Sequence, residues 1–538
     1  MPVQPHVSYP GVYVQEMPSG VHTVIGVSTS TTAFIGRAAR GPVNQPVSIN
    51  SFADFERIFG GLWPGSQLGY SVRNFYLNGG RQAVIVRLFA GFAPTPPDHS
   101  SATLDAGGLS LEAASPGAWG NALRARVDAN VAPGQAQIYG LQEGDLFNLS
   151  VLDTQAGTLE VFRNVSVKPG SQQVDKVLAS SSNLVRLADG ASLPAAAPTP
   201  NGDPAPGKSV WQDDHASTGV AAADQATDGA DLAETDFTTG PNLQANKQGL
   251  YALELVDLFN LLVIPPYKPN GVGLGDVDAS LVGEAAAYAE SRRAMLLVDP
   301  PSSWNNKDAA KTGMQNLALG TASANAMVFF PGLNQPNPLH GNQMETYPPA
   351  GAVAGVIART DAQRGVWKAP AGLEASLVGV SQLAVPLTDD ENGELNPLGI
   401  NCLRTFPGAG QVVWGARTLQ GDDRLASQWK YIPVRRLALF LEESLYRGTK
   451  WAVFEPNDEP LWAQLRLNVG AFMHDLFRQG AFQGQKPQDA YFVSCDSSTT
   501  TQNDIDQGIV NIIVGFAPLK PAEFVVLYIQ QIAGQIAA

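Results

Sequence analysis

The sequence predicts a multidomain chain of the α/β and α+β classes. A mixed α/β core is built from N- and C-terminal parts, with an inserted β-rich domain and extended β arms at both ends. Three observations carry this. From residue 250 onward apolar β-prone runs alternate with helical stretches, the pattern of a parallel doubly wound sheet. Between 95 and 190 short β-prone runs alternate with turns instead. Both ends carry β-prone runs outside any compact element: Val12-Tyr13-Val14, and Phe524-Val525-Val526-Leu527-Tyr528-Ile529.

The elements follow in order. Residues 1–22 read as an arm, because Pro2, Pro5, Pro10 and Pro18 punctuate the stretch around Val12-Tyr13-Val14. Residues 31–35 read as a strand closed by Gly36. Ser51 caps a helix over 52–59, Asp54 sits in its first turn, and Gly60-Gly61 stops it. A second helix covers 70–77, and 83–89 is a strong strand. The inserted region offers strands at 123–127, 146–152, 159–167 and 184–187. Residues 191–245 hold eight acids and one base, Lys208, with little to bury, and predict an exposed loop. Strands then fall at 258–264, 294–298 and 326–330, and helices at 281–293 and 351–360. The last third gives helices at 433–447, with Pro433 in its first turn, and at 460–479.

Composition narrows the function. The 538 residues include 34 Lys plus Arg and 49 Asp plus Glu, a net charge of −15, which argues against a phosphate-backbone binder. Charged residues are 15% of the chain, against roughly 25% in an average soluble domain. A surface so lightly charged predicts cover by partners. No apolar run reaches the roughly 18 residues of a spanning helix. Residues 1–10 show no Sec-type leader pattern. Two cysteines, Cys402 and Cys495, fit a reducing compartment.

The candidate chemistry fails on its own terms. Gly202 to Ser209 matches G-x-x-x-x-G-K-S, but Pro204 and Pro206 remove backbone donors, and no strand precedes it. None of the six histidines stands in a nucleophile motif, and His474 beside Asp475 reads as an interface or half-buried residue. The run Asp389 to Glu394 resembles a calcium loop without its first and last carboxylates, and reads as a solvated acidic turn. No catalytic, metal or cofactor site is expected. The arms carry the better signal, either pairing inside their own subunit or adding strands to neighbours. Arg435 and Arg436 near the start of the 433–447 helix, and Glu442 and Glu443 late in it, oppose the helix dipole. They are either placed for partners or lie on a solvated face.

Several motifs together match a known family. They include Pro10-Gly11-Val12-Tyr13-Val14-Gln15-Glu16, Thr32-Ala33-Phe34-Ile35-Gly36, Ala358-Arg359-Thr360-Asp361 and Arg364-Gly365-Val366-Trp367. Further on come Asn396-Pro397-Leu398-Gly399-Ile400-Asn401, Arg404-Thr405-Phe406-Pro407-Gly408, Val413-Trp414-Gly415-Ala416-Arg417-Thr418, Val434-Arg435-Arg436-Leu437 and Phe454-Glu455-Pro456-Asn457-Asp458. The chain resembles the contractile tail sheath proteins of phages, R-type pyocins and phage-tail-like injection particles. The resemblance implies an arm at 1–22 and a conserved sheath core at 23–94 and 246–385. It implies a variable outer domain at 95–245, a conserved C-terminal domain at 386–521, and a C-terminal β arm at 522–538.

It also implies a structural subunit, not an enzyme, with no cofactor. Rings of six copies stack into a helical sheath around an inner tube protein, between baseplate and tail-terminator proteins, and contraction drives the tube through a target envelope. Neither nucleic acid binding nor membrane insertion is implied. Assembly in a bacterial cytoplasm is implied, as part of a phage virion or a phage-tail-like particle. Val12, Tyr13 and Val14, with Phe524, Val525, Val526, Leu527, Tyr528 and Ile529, would join neighbours in a shared β-sheet. The 460–479 helix, through Arg466 and Arg478, would face the inner tube. Two other readings stay open: a hydrolase-like enzyme on the 250–345 sheet, and a sheath-terminating or baseplate-linked tail paralogue.

Overall fold

Continuous apolar strands can be buried on both faces only inside a parallel sheet covered by helices, and that is where this chain puts them. The computed structural model describes residues 22–91, 100–268, 275–317 and 319–527. Val12, Tyr13, Val14, Tyr528 and Ile529 lie outside the described residues. Contacts divide the chain into a larger unit, 30–360 with 370–430, and a smaller one that includes 361–369 and the described residues from 431.

The larger unit is organised by a sheet of β1 (Thr32–Gly36), β2 (Val47–Ile49), β3 (Ala83–Arg87), β4 (Leu261–Val263), β5 (Met295–Val298), β6 (Ala326–Phe330), β7 (Ile400–Phe406) and β8 (Gly410–Val413). Among the described residues the order is β8-β7-β6-β5-β4-β1-β3-β2. The six inner strands run parallel, and β2 and β8 close the edges antiparallel. β1 and β4 pair from Thr32↔Leu261 to Phe34↔Val263, so the N-terminal part and the later part of the chain meet at the centre of one sheet. Every residue of β1, β3, β4, β5 and β6 is buried.

Helices of this unit outside the insertion include α1 (Phe52–Phe59), α2 (Leu68–Leu77), α3 (Ala279–Ser291), α4 (Lys307–Met314), α5 (Ala350–Arg364) and α6 (Asp389–Leu395); the last residues of α5 belong to the smaller unit. α1 forms as its caps predict: Ser51 Oγ accepts from the Asp54 N–H, and Gly60 closes the helix at φ 89°. α5 and α2 pack backbone against backbone. A Cβ on Gly351 would lie 2.3 Å from the Ser71 carbonyl, and one on Gly355 would lie 2.4 Å from that of Phe75. α6 corrects the expected acidic turn at 389–394. Thr388 and Glu391 form a capping box, and Glu394 pairs with Lys307 and Lys311 at 2.6 Å each. Carboxylates in a first helical turn are favoured by the helix dipole.

The insertion has a core of its own. The strand Leu123–Asp128 alternates buried and half-buried residues and sits between Thr218–Gly219 and Leu146–Asp153, with Thr158–Ser166 beyond. A second sheet joins Thr103–Ala106, Leu109–Ala113 and Val185–Leu187. The exposed loop expected at 191–245 is instead pinned along its length. Arg124 holds Asp214 and the Ser217 carbonyl, and Arg126 donates to the Gly202 and Ala216 carbonyls. Ala226 enters the insertion core, while Leu232 and Phe237 enter the core of the main sheet. Asp213 and Asp228 spend their charge on backbone N–H groups. A few well-spaced apolar residues and carboxylates used as acceptors order a segment whose average composition looks loop-like.

The smaller unit contains α7 (Ile432–Gly448), α8 (Glu459–Arg478) and a hairpin of β9 (Tyr491–Ser494) and β10 (Ile513–Phe516). Val24, Leu437, Leu441, Val469, Phe472, Met473, Leu476 and Phe482 form its core. Each such fully buried side chain contributes about 1.5–3 kcal/mol.

Asp299 lies buried where β5 meets α5, its Oδ1 accepting from the Ala350 N–H at 2.8 Å. Burial pushes its pKa up to about 7, against that hydrogen bond, which pulls it down. The folded state therefore holds this proton more tightly than the unfolded chain. Its stabilisation is complete below about pH 4 and lost as pH rises to about 7. Asp299→Asn should flatten that slope, so that wild type loses up to about 4 kcal/mol relative to the variant between pH 4 and pH 8. Thermal unfolding at the two pH values checks this, and parallel profiles would contradict it.

Candidate assembly surface

The sequence motifs with candidate chemistry are engaged in internal contacts. In the 202–209 string, Gly202 N–H donates to the His215 carbonyl and Lys208 N–H to that of Ala205. Ser209 opens only the short turn Val210–Gln212, so no row of amides faces an empty cradle. Cys402 and Cys495 are buried, and burial pushes the Cys402 thiol up to about 12. His474 is exposed, its Nδ1 at 3.2 Å from the Tyr491 hydroxyl. Among the described residues no group of three His, Cys, Asp or Glu could hold a metal ion. None of the described helices is long and apolar enough to cross a membrane.

Open α/β sheets bind ligands where strand order reverses, here beyond β1 and β4. The chain fills that crevice itself. Arg37, one residue past β1, donates to Asp231 and to the Asp228 carbonyl, and Ala230 N–H bonds the Ala90 carbonyl. Leu232, Phe237 and Leu250 complete the core shared with Ile35 and Ile264.

Several arginines, Arg417 and Arg359 within the sequence motifs and Arg87 outside them, serve as supports for the backbone. Arg417 is fully buried and donates to the Asn396 and Gly421 carbonyls and to Asp423, while Asn401 bonds both the N–H and the carbonyl of Arg417. Arg359 bonds the carbonyls of Asn78 and Ser376. Arg87, at the end of β3, gives its guanidinium to the Ala38, Ala39, Gly41 and Pro116 carbonyls, and burial lowers its pKa to about 10.

In the smaller unit the surface has a different character. Tyr491, Val493, Val514 and Phe516 of the hairpin pack on the core below. Phe492 is 58% exposed on the other face, lying over Gly515, where a Cβ would be 2.1 Å from its ring. Among the described residues β9 and β10 pair only with each other, which leaves both edges of the hairpin open. After β10 the chain continues through Pro518, bridged to Phe482, to Phe524-Val525-Val526-Leu527, which form no strand and are 66% to 80% exposed. The sequence reading found these exposed residues but missed the hairpin. Its signals were the paired β-prone runs Tyr491-Phe492-Val493 and Ile513-Val514-Gly515-Phe516.

The proposed tube-facing pair is split. Arg466 is engaged within the unit, with Glu459 at 2.5 Å and with the Cys495 carbonyl. Arg478 is 72% exposed, 3.9 Å from Asp475. The charges of α7 also differ from expectation. Arg436 is neither a partner contact nor solvated. It is buried in a two-pronged pair with Asp361 at 2.8 and 2.5 Å and also donates to the Thr29 carbonyl. Glu443 pairs with Arg447. Internal partners thus outweigh the unfavourable dipole.

Two family models match this chain: the phage tail sheath protein central domain over residues 257–419 and the phage tail sheath C-terminal domain over 426–532. Together they cover half of it. The tail sheath protein of Vibrio phage KVP40 is 29% identical over 181 residues, 34% of this chain and 26% of that protein. A putative prophage major tail sheath protein of Pseudomonas aeruginosa is 28% identical over 237 residues, 44% of this chain and 57% of that protein. The chain thus spans about a quarter to just over half the length of these relatives. Among solved structures, the sheath complex of the extracellular contractile injection system PVC, in its contracted state, superposes with a TM-score of 0.56 at 21% identity, covering 98% of both chains. The Listeria innocua sheath tail protein Lin1278 gives 0.57 at 15% identity, covering 92% of this chain and 96% of that one. At these identities the likeness establishes the fold.

Arg436→Met should leave Asp361 buried without its cation and destabilise the protein by about 3–5 kcal/mol, whereas Asp361→Leu with Arg436→Met should recover much of that loss. Chemical unfolding of the two variants measures it; equal losses would mean the pair contributes net attraction beyond its desolvation cost.

Proposed function

The chain belongs to the phage tail sheath family, and we propose that it is the structural subunit of a contractile sheath, polymerising as stacked six-membered rings around an inner tube. The observation that supports this most directly is the run Phe524-Val525-Val526-Leu527. Four consecutive β-prone apolar residues left in solvent are a hazard unless another chain covers them. The open edges of the β9–β10 hairpin are the complementary feature, since a strand added there satisfies backbone groups on both sides. On this reading Val12 to Val14 and Phe524 to Ile529 of neighbouring copies extend the hairpin into a shared sheet. Arg478, on the exposed face of α8, reaches the tube.

The work of contraction then comes from differences in packing between two assembled states, not from a reaction. A filled switch-point crevice and buried thiols accord with a non-enzymatic role. Partners are further copies of this chain, the inner tube protein, and baseplate and terminator proteins. Assembly takes place in a bacterial cytoplasm, within a phage or phage-tail-like particle.

Deleting residues 1–20 or 522–538 should leave a folded, soluble protein that no longer forms contractile sheaths in electron micrographs. Normal, contracting tubes from either truncation would remove the arm assignment. Asp203→Ala with Lys208→Ala should assemble as wild type with or without ATP; a nucleotide-dependent defect would restore the phosphate-site reading.

A further inference from the structure

The two arms leave the smaller unit at opposite ends of one helix. Residues 22–29 run along α7 in the reverse direction. His22 stacks on Trp451 just past the end of the helix, with ring centroids 4.1 Å apart and planes 16° apart. Val24 covers Gly448, where a Cβ would be 2.7 Å from both Val24 methyls. Gly26 lies against the Phe440 ring, and Val27 N–H donates to Ser444 Oγ at 3.2 Å. Thr29 ends the path near the start of the helix, its carbonyl on Arg436 and its hydroxyl donating to Asp361 at 2.7 Å.

The C-terminal arm is fastened at that same starting end. Tyr431, the residue before α7, donates its hydroxyl to Glu523 at 3.3 Å, immediately before the exposed Phe524. Thus residues before 22 depart from the Gly448 end and residues after 523 from the Tyr431 end. The 17 residues between them span about 25 Å. α7 is stiffened from the side by α8, through Leu437, Leu441, Val469 and Met473 and the Phe440–Phe472 ring pair.

We propose that α7 is the strut that carries tension from one arm to the other, with residues 22–29 as the anchor that couples the N-terminal arm to it. The proposal rests on the reading that the arms bind neighbouring copies. The anchor is built for pull along the chain. A buried ion pair grips the backbone at Thr29, a hydroxyl bond locks the same residue, and an aromatic stack holds the exit. Tension entering at His22 is transferred to α7 over residues 22–29 and leaves through Tyr431 and Glu523, all within the smaller unit.

The experiment loosens the anchor at its two ends while leaving the Arg436–Asp361 ion pair in place, and then restores it covalently. His22→Ala with Thr29→Val removes the stack and the hydroxyl bond. Sheaths assembled from this variant should break at half the wild-type pulling force or less, and amide exchange over 22–29 should rise at least tenfold. In the same background, Val24→Cys with Gly448→Cys places two sulfurs across the contact between arm root and helix. Oxidation should return the breaking force to the wild-type range, and reduction should lower it again. Failure to assemble that oxidation repairs supports the strut equally. Wild-type strength despite faster exchange, or weakness that oxidation does not repair, would overturn it. Failure of the arm reading shows separately, as normal contraction of the arm truncations.

Discussion

Backbone N–H and C=O groups along a strand have to be paired, and the hairpin of β9 and β10 has no third strand among the described residues of its own chain. Much of the smaller unit is arranged around that unmet requirement. Its core residues sit under the inner face of the hairpin. Phe492 over Gly515 keeps the outer face covered at its most exposed point. Further along, Phe524 to Leu527 are apolar and exposed. A protein that stayed monomeric would blunt such edges with charge, proline or a covering loop; among the described residues no third strand covers them.

The same logic explains the light surface charge. Part of the cationic charge that the sequence does carry is turned inward, where Arg87 and Arg417 each grip several backbone carbonyls and Arg436 holds the Thr29 carbonyl together with Asp361. A guanidinium has five donors in a fixed fork, so one buried arginine can tie together loops that no apolar side chain could fix. Arg87 joins the turn after β1 to Pro116 of the insertion, and Arg436 joins the root of the N-terminal arm to α7. The surface that remains is poor in charge, as expected where several partners must be contacted at buried centres.

How much of this was legible depended on whether the signal was local. The caps of α1, the stops after α7 and α8, and the central strands were readable because a few adjacent residues fix them. The 191–245 segment was misjudged because its order comes from distant partners, Arg124, Arg126 and Arg37, whose targets are backbone carbonyls and loop acids. Arg436 was misread for the same reason. Its partner Asp361 lies 75 positions away, and a helix-dipole argument cannot see it. The motifs of the sequence were recognised correctly as a set, yet the role of each was hidden. Arg359, Asn401 and Arg417 look like site residues in a string and prove to be supports for the backbone.

A sheath that contracts without consuming nucleotide must change the arrangement of its subunits while keeping every neighbour attached. A strand ladder suits the attachment, because each bond contributes only about 0.5–1.5 kcal/mol in net terms while several act in series. Its orientation is then set by where the strand leaves its own subunit. Had the arm roots been loose, slack in the arms would absorb any movement of the next ring before it was felt. With 22–29 laid along α7 and Glu523 fastened at the other end, each arm starts from a fixed point. On the reading proposed above, stiffness is supplied by the body and the arms act as links. That division lets a displacement at one subunit become a displacement at the next.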